Sequence, residues 1–279
     1  SQEFLDTLKD HDFIKMNVDN VEYVDPGFIN FKIKEEFLIK NLTNFLKINK
    51  IFFKQDCVQK YLIEHTSPNT NKALHIGHLR NNVYAMATYR LLVATGNKVV
   101  LDCVYNDRGI HVCKAIWGYL KKDYLDKPIK EVIVTYKKIN KEWWSPEKQN
   151  ISPDSFVSEC YKVGVLNEKE EINAQEIKWL LLEWENGNKT ILNIWKKLNN
   201  WAYSGFKKTY KTIGSVHHYN WYESSFYKKS KQLIKTGLEK GVFVKLEDGA
   251  VLSDLKNYNL TDTILQRSDG TSMYFTQDI

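Results

Sequence analysis

The sequence predicts an α/β fold, a parallel sheet crossed by helices and interrupted by a mainly helical insertion. Three observations carry this. A short apolar run over Lys60–Thr66 is followed by a loop and a helix-period stretch that reaches about Thr95. A second β-rich run, KVVLDCVYN, leads through Asp107-Arg108-Gly109 into another helix, completing strand, helix, strand, helix. Residues from about 122 to 215 break this rhythm with lysines, Trp143-Trp144 and long helical patterns before strand-like segments return.

Taken in order, residues 1 to about 34 read as irregular, apart from a turn at Asp25–Gly27 and a short strand, FINFKI. From Glu35 to about Phe53, apolar residues recur at helical spacing. Residues 1–55 are therefore expected to be the tail of a preceding domain with a connecting helix. Residues 56–279 form the main domain, with the insertion at about 122–215. The helix ending near Thr95 is expected to turn Leu79, Val83, Met86, Ala87, the Arg90 stem and Leu91 inward, with Gly96 as its C-terminal cap. Residues 175–204 read as a long helix or two, interrupted near Asn186–Asn188, with a Trp and Leu stripe assigned to the core. Then come a strand-like start at VHHYN, a helix closed by Gly241, a hairpin about Asp248-Gly249, and a last strand. In such Rossmann-like sheets ligands sit beyond the carboxyl ends of the strands, where the loops 64–78 and 105–111 fall.

At 279 residues the chain can bury a sizeable core. Charged residues make up 27% and the hydrophobic set 43%, which excludes a disordered chain, and no run reaches the roughly 20 apolar residues of a membrane span. The polar start SQEFLDTLKDHDF is unlike a secretory signal, so the expected location is cytoplasmic. Cys57, Cys103, Cys113 and Cys160 form no C-x-x-C pair, and His111, His217 and His218 lack partners at ligand spacing, so no metal centre is expected. A net charge of +6 permits a polyanionic partner without requiring one.

The chemistry concentrates in EHTSPNTNKALHIGHLRNN, residues 64–82, which leaves the first strand and enters the helix at or just after His75. Helix N-termini carry unpaired N–H groups and the positive end of the dipole, so they favour phosphate. Gly77 lets a base or ribose approach the backbone closely, and His75 and His78 can donate to a phosphoryl group under attack.

This stretch, together with VYNDRGIH, NWYESSFY and RSDGTSMYFTQDI, resembles the class I arginyl-tRNA synthetases from about residue 20 onward. H-x-G-H is shared with all class I synthetases and related nucleotidylyltransferases; the preceding S-P-N-x-x-K and the late Y-x-x-x-D are more specific. The resemblance implies ATP, with Mg²⁺ accompanying it, and L-arginine as substrates. It implies formation of arginyl-adenylate and transfer of arginine to tRNA(Arg) by an enzyme expected to be monomeric at full length and away from membranes. By resemblance His75, Gly77 and His78 handle the nucleotide, and Lys72 and Arg80 are candidates for phosphate or tRNA. Asp278 and Tyr274 face the guanidinium with Glu64 beside them, Ser67 and Asn69 hold the amino and carboxylate ends, and Glu223 is a weaker candidate for the same pocket.

Asn106-Asp107-Arg108-Gly109 stands where many members carry G-D-W-G. The family's second signature, K-M-S-K-S or a variant, has no match in this chain, nor does its helical anticodon-binding domain. The chain thus reads as roughly the first half of a catalytic domain with an N-terminal remnant, and its incomplete sheet is expected to expose an edge. Two alternatives accompany this reading: another adenylyltransferase using H-x-G-H, which would need no Tyr274 and Asp278, and a non-catalytic ATP- or tRNA-binding fragment.

Overall fold

The computed structural model describes residues 2–48 and 58–268. They fall into two compact units, the first taking the described residues of Ser1–Lys60 with Arg90–Lys98, the second those of Tyr61–Tyr89 and Val99–Ile279.

In the first unit, helices α1 (Gln2–Asp10) and α2 (Asp12–Asn17) precede strand β1 (Val18–Val24), which pairs antiparallel with β2 (Phe28–Ile33) before α3 (Glu35–Ile48). Leu5, Val18 and Val21 form a small buried cluster against Ile14, Ile29 and Ile33. The sequence reading placed irregular chain over 1–34, and the structure corrects it. Helices of 9 and 6 residues hold too few apolar repeats for a period to show. Strand β2 coincides with the expected FINFKI, and the described part of α3 follows the helical spacing.

The second unit is built on three strands in the order β3-β4-β5: β3 (Lys60–Glu64), β4 (Lys98–Tyr105) and β5 (Tyr219–Tyr222). Strands β4 and β5 are parallel, in register from Asp102 with Tyr219 to Tyr105 with Tyr222. Lys98 N donates to Gln59 O (2.9 Å) and His65 N to Asp102 O (3.0 Å), so β3 and β4 also run the same way. Helix α4 (Ile76–Ala94) connects them, and Gly96 (φ 86°) takes the left-handed conformation that ends it. Its burial is not the expected stripe. Asn82, Ala85 and Met86 are buried, whereas Val83 and Leu91 are 58% and 69% exposed. The inward face is fixed by a polar anchor, Asn82, that an apolar count cannot register.

Helix α5 (Ile110–Lys121) leads into the insertion and packs with its helices, α6 (Ile129–Ile139), α7 (Pro146–Gln149), α8 (Pro153–Asn167), α9 (Glu171–Glu185) and α10 (Lys189–Ile213). Pro146 and Pro153 occupy first helical positions, where a missing N–H costs nothing, so they start helices in a stretch that reads as broken. Trp117, Tyr119, Phe156, Leu180 and Ile194 form its core, and the tryptophan stripe of α9 and α10 packs with them as expected. Buried Lys121 is neutralised by Glu176 (3.4 Å), which also accepts from Trp117 Nε1 (2.8 Å) and Ile129 N (2.7 Å). Helix α10 then lays Ala202, Phe206 and Tyr210 against Cys103 and Tyr105 of the sheet. After β5 come α11 (Glu223–Glu239) and an antiparallel meander of β6 (Val244–Lys245), β7 (Val251–Ser253) and β8 (Thr263–Gln266).

Helices α5 and α8 touch backbone to backbone. A Cβ on Gly118 would lie 1.9 Å from Cys160 O, and one on Gly164 would lie 2.2 Å from Lys114 O. Neither neighbour can yield without moving a helix. Gly118→Ala and Gly164→Ala are each expected to cost at least about 1–3 kcal/mol, the range for overpacked cores. Urea unfolding followed by circular dichroism checks this: an unchanged midpoint for either variant would contradict the crossing.

Candidate active site

Strands β3 and β4 end side by side, and the two polar loops leave from that edge. Asn69 and Asn106 form a parallel bridge beyond the strands, supported by Asn106 N to Pro68 O (3.1 Å) and Thr70 N to Asn106 O (3.3 Å). The loop turns sharply through Thr66 (φ 67°) and Ser67 (φ 35°), both left-handed. Ser67 Oγ donates to Glu64 Oε1 (2.6 Å) and accepts from Val104 N (3.1 Å), so its hydroxyl links the two strand ends. Glu64 and Asn69 are exposed, and Lys72 is half-buried.

The start of α4 holds the two signature imidazoles. His75 Nδ1 accepts from Gly77 N (3.1 Å), capping the helix, and His78 Nδ1 accepts from His75 N (3.1 Å). Each neutral ring therefore carries its proton on Nε2 and presents it as a donor. The ring centroids are 4.0 Å apart. A Cβ on Gly77 would stand 3.0 Å from His75 Cε1, so the glycine is what allows the His75 ring to fold back over the first turn. Burial, then the neighbouring His75 and Lys72, holds His78 down to about 4. A second imidazole beside a lysine at a helix N-terminus is a neutral donor at neutral pH. Behind the two rings lies a largely apolar cavity of about 260 Å³, lined by Leu74, Ile76, Leu79, Tyr210 and Ile213 with Thr66 and Asn82.

Glu223 stands at the first position of α11 and is buried. Its carboxylate faces Arg108 Nη1 (3.6 Å), whose other branch binds Glu185 (2.7 Å), with Tyr227 4.1 Å from the guanidinium carbon. The structure thus sets Glu223 against an internal guanidinium, while Glu64, Ser67, Asn69, His75 and His78 gather at the ends of β3 and β4. Tyr274 and Asp278 lie outside the described residues. Sequence reasoning passed over Asp107, His65, Asn81 and Asn82. Asp107 is 2% exposed and accepts from Ser224 N (2.8 Å), Ser224 Oγ (2.7 Å) and Tyr203 Oη (3.2 Å). Burial raises its pKa, and the bonds from Ser224 and Tyr203 oppose that rise. A buried-acid signal was present in the N-D-R-G tetrapeptide at the strand end; its partners lie more than ninety residues away.

The sequence model of the family described as tRNA synthetases class I (R), catalytic domain, matches residues 41–279. An arginine–tRNA ligase of Treponema denticola is 41% identical over 224 residues, covering 79% of this chain and 35% of that protein. The one from Flavobacterium psychrophilum is 34% identical over 273 residues, covering 94% of this chain and 45% of that protein. Among solved structures, Plasmodium falciparum arginyl-tRNA synthetase superposes with a TM-score of 0.64 at 18% identity, over 99% of this chain and 44% of the other. Thermus thermophilus arginyl-tRNA synthetase gives 0.59 at 20% identity, over 99% and 43%. The chain spans less than half the length of these relatives. It belongs to the family of arginine-type class I tRNA synthetase catalytic domains.

The imidazoles set a pH dependence. His78 and His217 are each lowered from 6.5 to about 4, and His65 is lowered too, in all three cases mainly by burial. As pH falls from 6.5 towards 4 the unfolded chain binds protons that the folded chain refuses, so stability drops through that window and is unaffected above it. Melting temperature measured from pH 7.5 down to 5 should fall, and His217→Phe, which keeps the ring packing, should flatten the slope. A slope identical in the variant would contradict this assignment.

Proposed function

We propose that this chain, as a member of that family, carries the ATP- and amino-acid-binding part of an arginine–tRNA ligase. A carboxylate oxygen of L-arginine attacks the α-phosphorus of ATP, pyrophosphate leaves, and arginyl-adenylate forms. A ribose hydroxyl at the end of tRNA(Arg) then attacks the arginyl carbonyl, and AMP leaves. The observation that carries this reading is the pair of imidazoles at the start of α4, each with Nδ1 accepting from a backbone N–H and Nε2 turned to donate, beside Gly77.

Such a site needs no covalent enzyme intermediate. Positioning and donors aimed at the developing phosphoryl charge supply the rate. His75 and His78 serve as those donors, Gly77 admits the adenosine, and Lys72 adds positive charge nearby. Among the described residues no three His, Cys, Asp or Glu side chains converge on a point. In this reading Mg²⁺ would arrive with the phosphates of ATP, and the protein would orient the complex. On the amino-acid side, Ser67 orients Glu64, and Asn69 stands exposed at the same edge for the polar ends of arginine. Tyr274 and Asp278 complete the guanidinium pocket in this reading. In this reading the full-length enzyme is monomeric, cytoplasmic and acts on tRNA(Arg).

Arginine-dependent release of AMP and pyrophosphate from ATP, with and without tRNA(Arg), tests this on the chain and on the longer protein its relatives define. His78→Ala should lower the rate about 10²–10³-fold, the usual loss when one transition-state donor is removed. Citrulline, which lacks the charge, should be rejected by roughly 10⁴ or more. Turnover with other amino acids would overturn the arginine assignment. Nucleotide binding without turnover in the longer protein would leave a non-catalytic binding fragment in its place.

A further inference from the structure

The sharp turn at Thr66 and Ser67 is held from outside. A β-branched residue at φ 67° is an uncommon backbone state that persists only where surrounding contacts over-determine it. Here Thr66 N donates to Asn81 Oδ1 at 2.6 Å. Asn82 Nδ2 donates to Thr66 Oγ1 (3.0 Å) and to Ser215 Oγ (2.7 Å). His65 places Nε2 on Val216 O (3.1 Å) and Nδ1 on Thr66 Oγ1 (3.0 Å). A carbonyl only accepts, so the His65 proton sits on Nε2 and Nδ1 accepts from the Thr66 hydroxyl. That hydroxyl then receives from Asn82, and every bond in the chain has one possible direction. His65, Thr66 and Asn82 are all at least nine-tenths buried, and His65 stacks on His217 at 4.2 Å.

We infer that Asn81 and Asn82 are positioning residues, which latch the left-handed Thr66–Ser67 turn to the second turn of the signature helix. One buried network then sets both halves of the site: the loop bearing Glu64, Ser67 and Asn69, and the helix start bearing His75 and His78. Thr66 and Asn82 line the same cavity as those two imidazoles, so a loosened latch opens directly onto them. The same network reaches Ser215 and Val216, where the insertion rejoins the sheet, so the return of the insertion braces the signature helix. This inference rests on the proposed reading of the site, and its test uses no substrate, so the two can fail separately.

The probe is the His78 ring, followed by NMR as pH is lowered in the whole chain. Burial, His75 and Lys72 face it and hold its midpoint near 4. Asn82→Ala and Thr66→Val should each raise that midpoint by about one pH unit or more toward 6.5, because helix start and loop part and water reaches the ring. Thr66→Ser, which keeps the hydroxyl, should retain the parent midpoint, and Thr66→Val tests the link without opening a large hole. Met86→Ala, a buried truncation one turn further along α4, should lower the melting temperature and leave His78 where it is. An unmoved His78 in Asn82→Ala and Thr66→Val, or an equal movement in Met86→Ala, would overturn the inference.

Discussion

A buried carboxylate at the end of β4 fixes where everything else in the second unit can go. Taking an acid out of water is costly unless donors surround it, so Asp107 has to recruit them, and the donors come from distant parts of the chain. Its carboxylate takes the first turn of α11 through Ser224 and the hydroxyl of Tyr203 on α10. Its backbone carbonyl takes Trp195 Nε1 (2.6 Å) and Asn199 Nδ2 (3.3 Å) from α10 as well. The long insertion that leaves beside Asp107 therefore returns to it. The positive end of the α11 dipole points at the carboxylate, which adds to the hold. Arg108, one residue on, extends the clamp to α9 through Glu185 and to α11 through Glu223.

This arrangement explains why the carboxyl edge of the sheet is available for chemistry. The insertion is a self-contained helical body with its own aromatic core, closed by the Gly118–Gly164 crossing. Helix α10 covers one face of the sheet through Ala202, Phe206 and Tyr210, while the loops at the strand ends are polar, with His65, Thr66 and Asp107 buried and Glu64 and Asn69 exposed. The signature imidazoles then sit on a rigid helix start, with their tautomers dictated by two backbone N–H groups rather than by solvent. Donors fixed in direction before substrate arrives are what the proposed adenylate-forming site would use.

Much of this was legible in the sequence, and the exceptions have physical causes. The βαβ unit, the helix stop at Gly96, the interruption before α10 and the final hairpin all follow from local signals: period, glycine, and turn residues. The loop-to-helix signature was legible because its chemistry is packed into consecutive residues. What could not be read is polar and long-range. Asn82 looks like a surface asparagine on a helix, yet it is the buried anchor that decides which side of α4 faces in. Glu223 shows in sequence only as an acid at the start of a helix; that Arg108, 115 residues earlier, faces it at 3.6 Å is a long-range pairing with no local signal. The short helices α1 and α2 offered too few apolar positions for a period, and prolines that read as breaks were helix starts.

The central claim is that the nucleotide is held at the ends of β3 and β4 by the first turn of α4. A crystal structure with a non-hydrolysable ATP analogue tests it most directly. The account predicts phosphate oxygens within hydrogen-bond distance of Nε2 of His75 and His78, with the adenosine against Gly77 and the Asp107 contacts unchanged. An analogue bound anywhere else, or one bound at this edge with both imidazoles turned away from its phosphates, would contradict it.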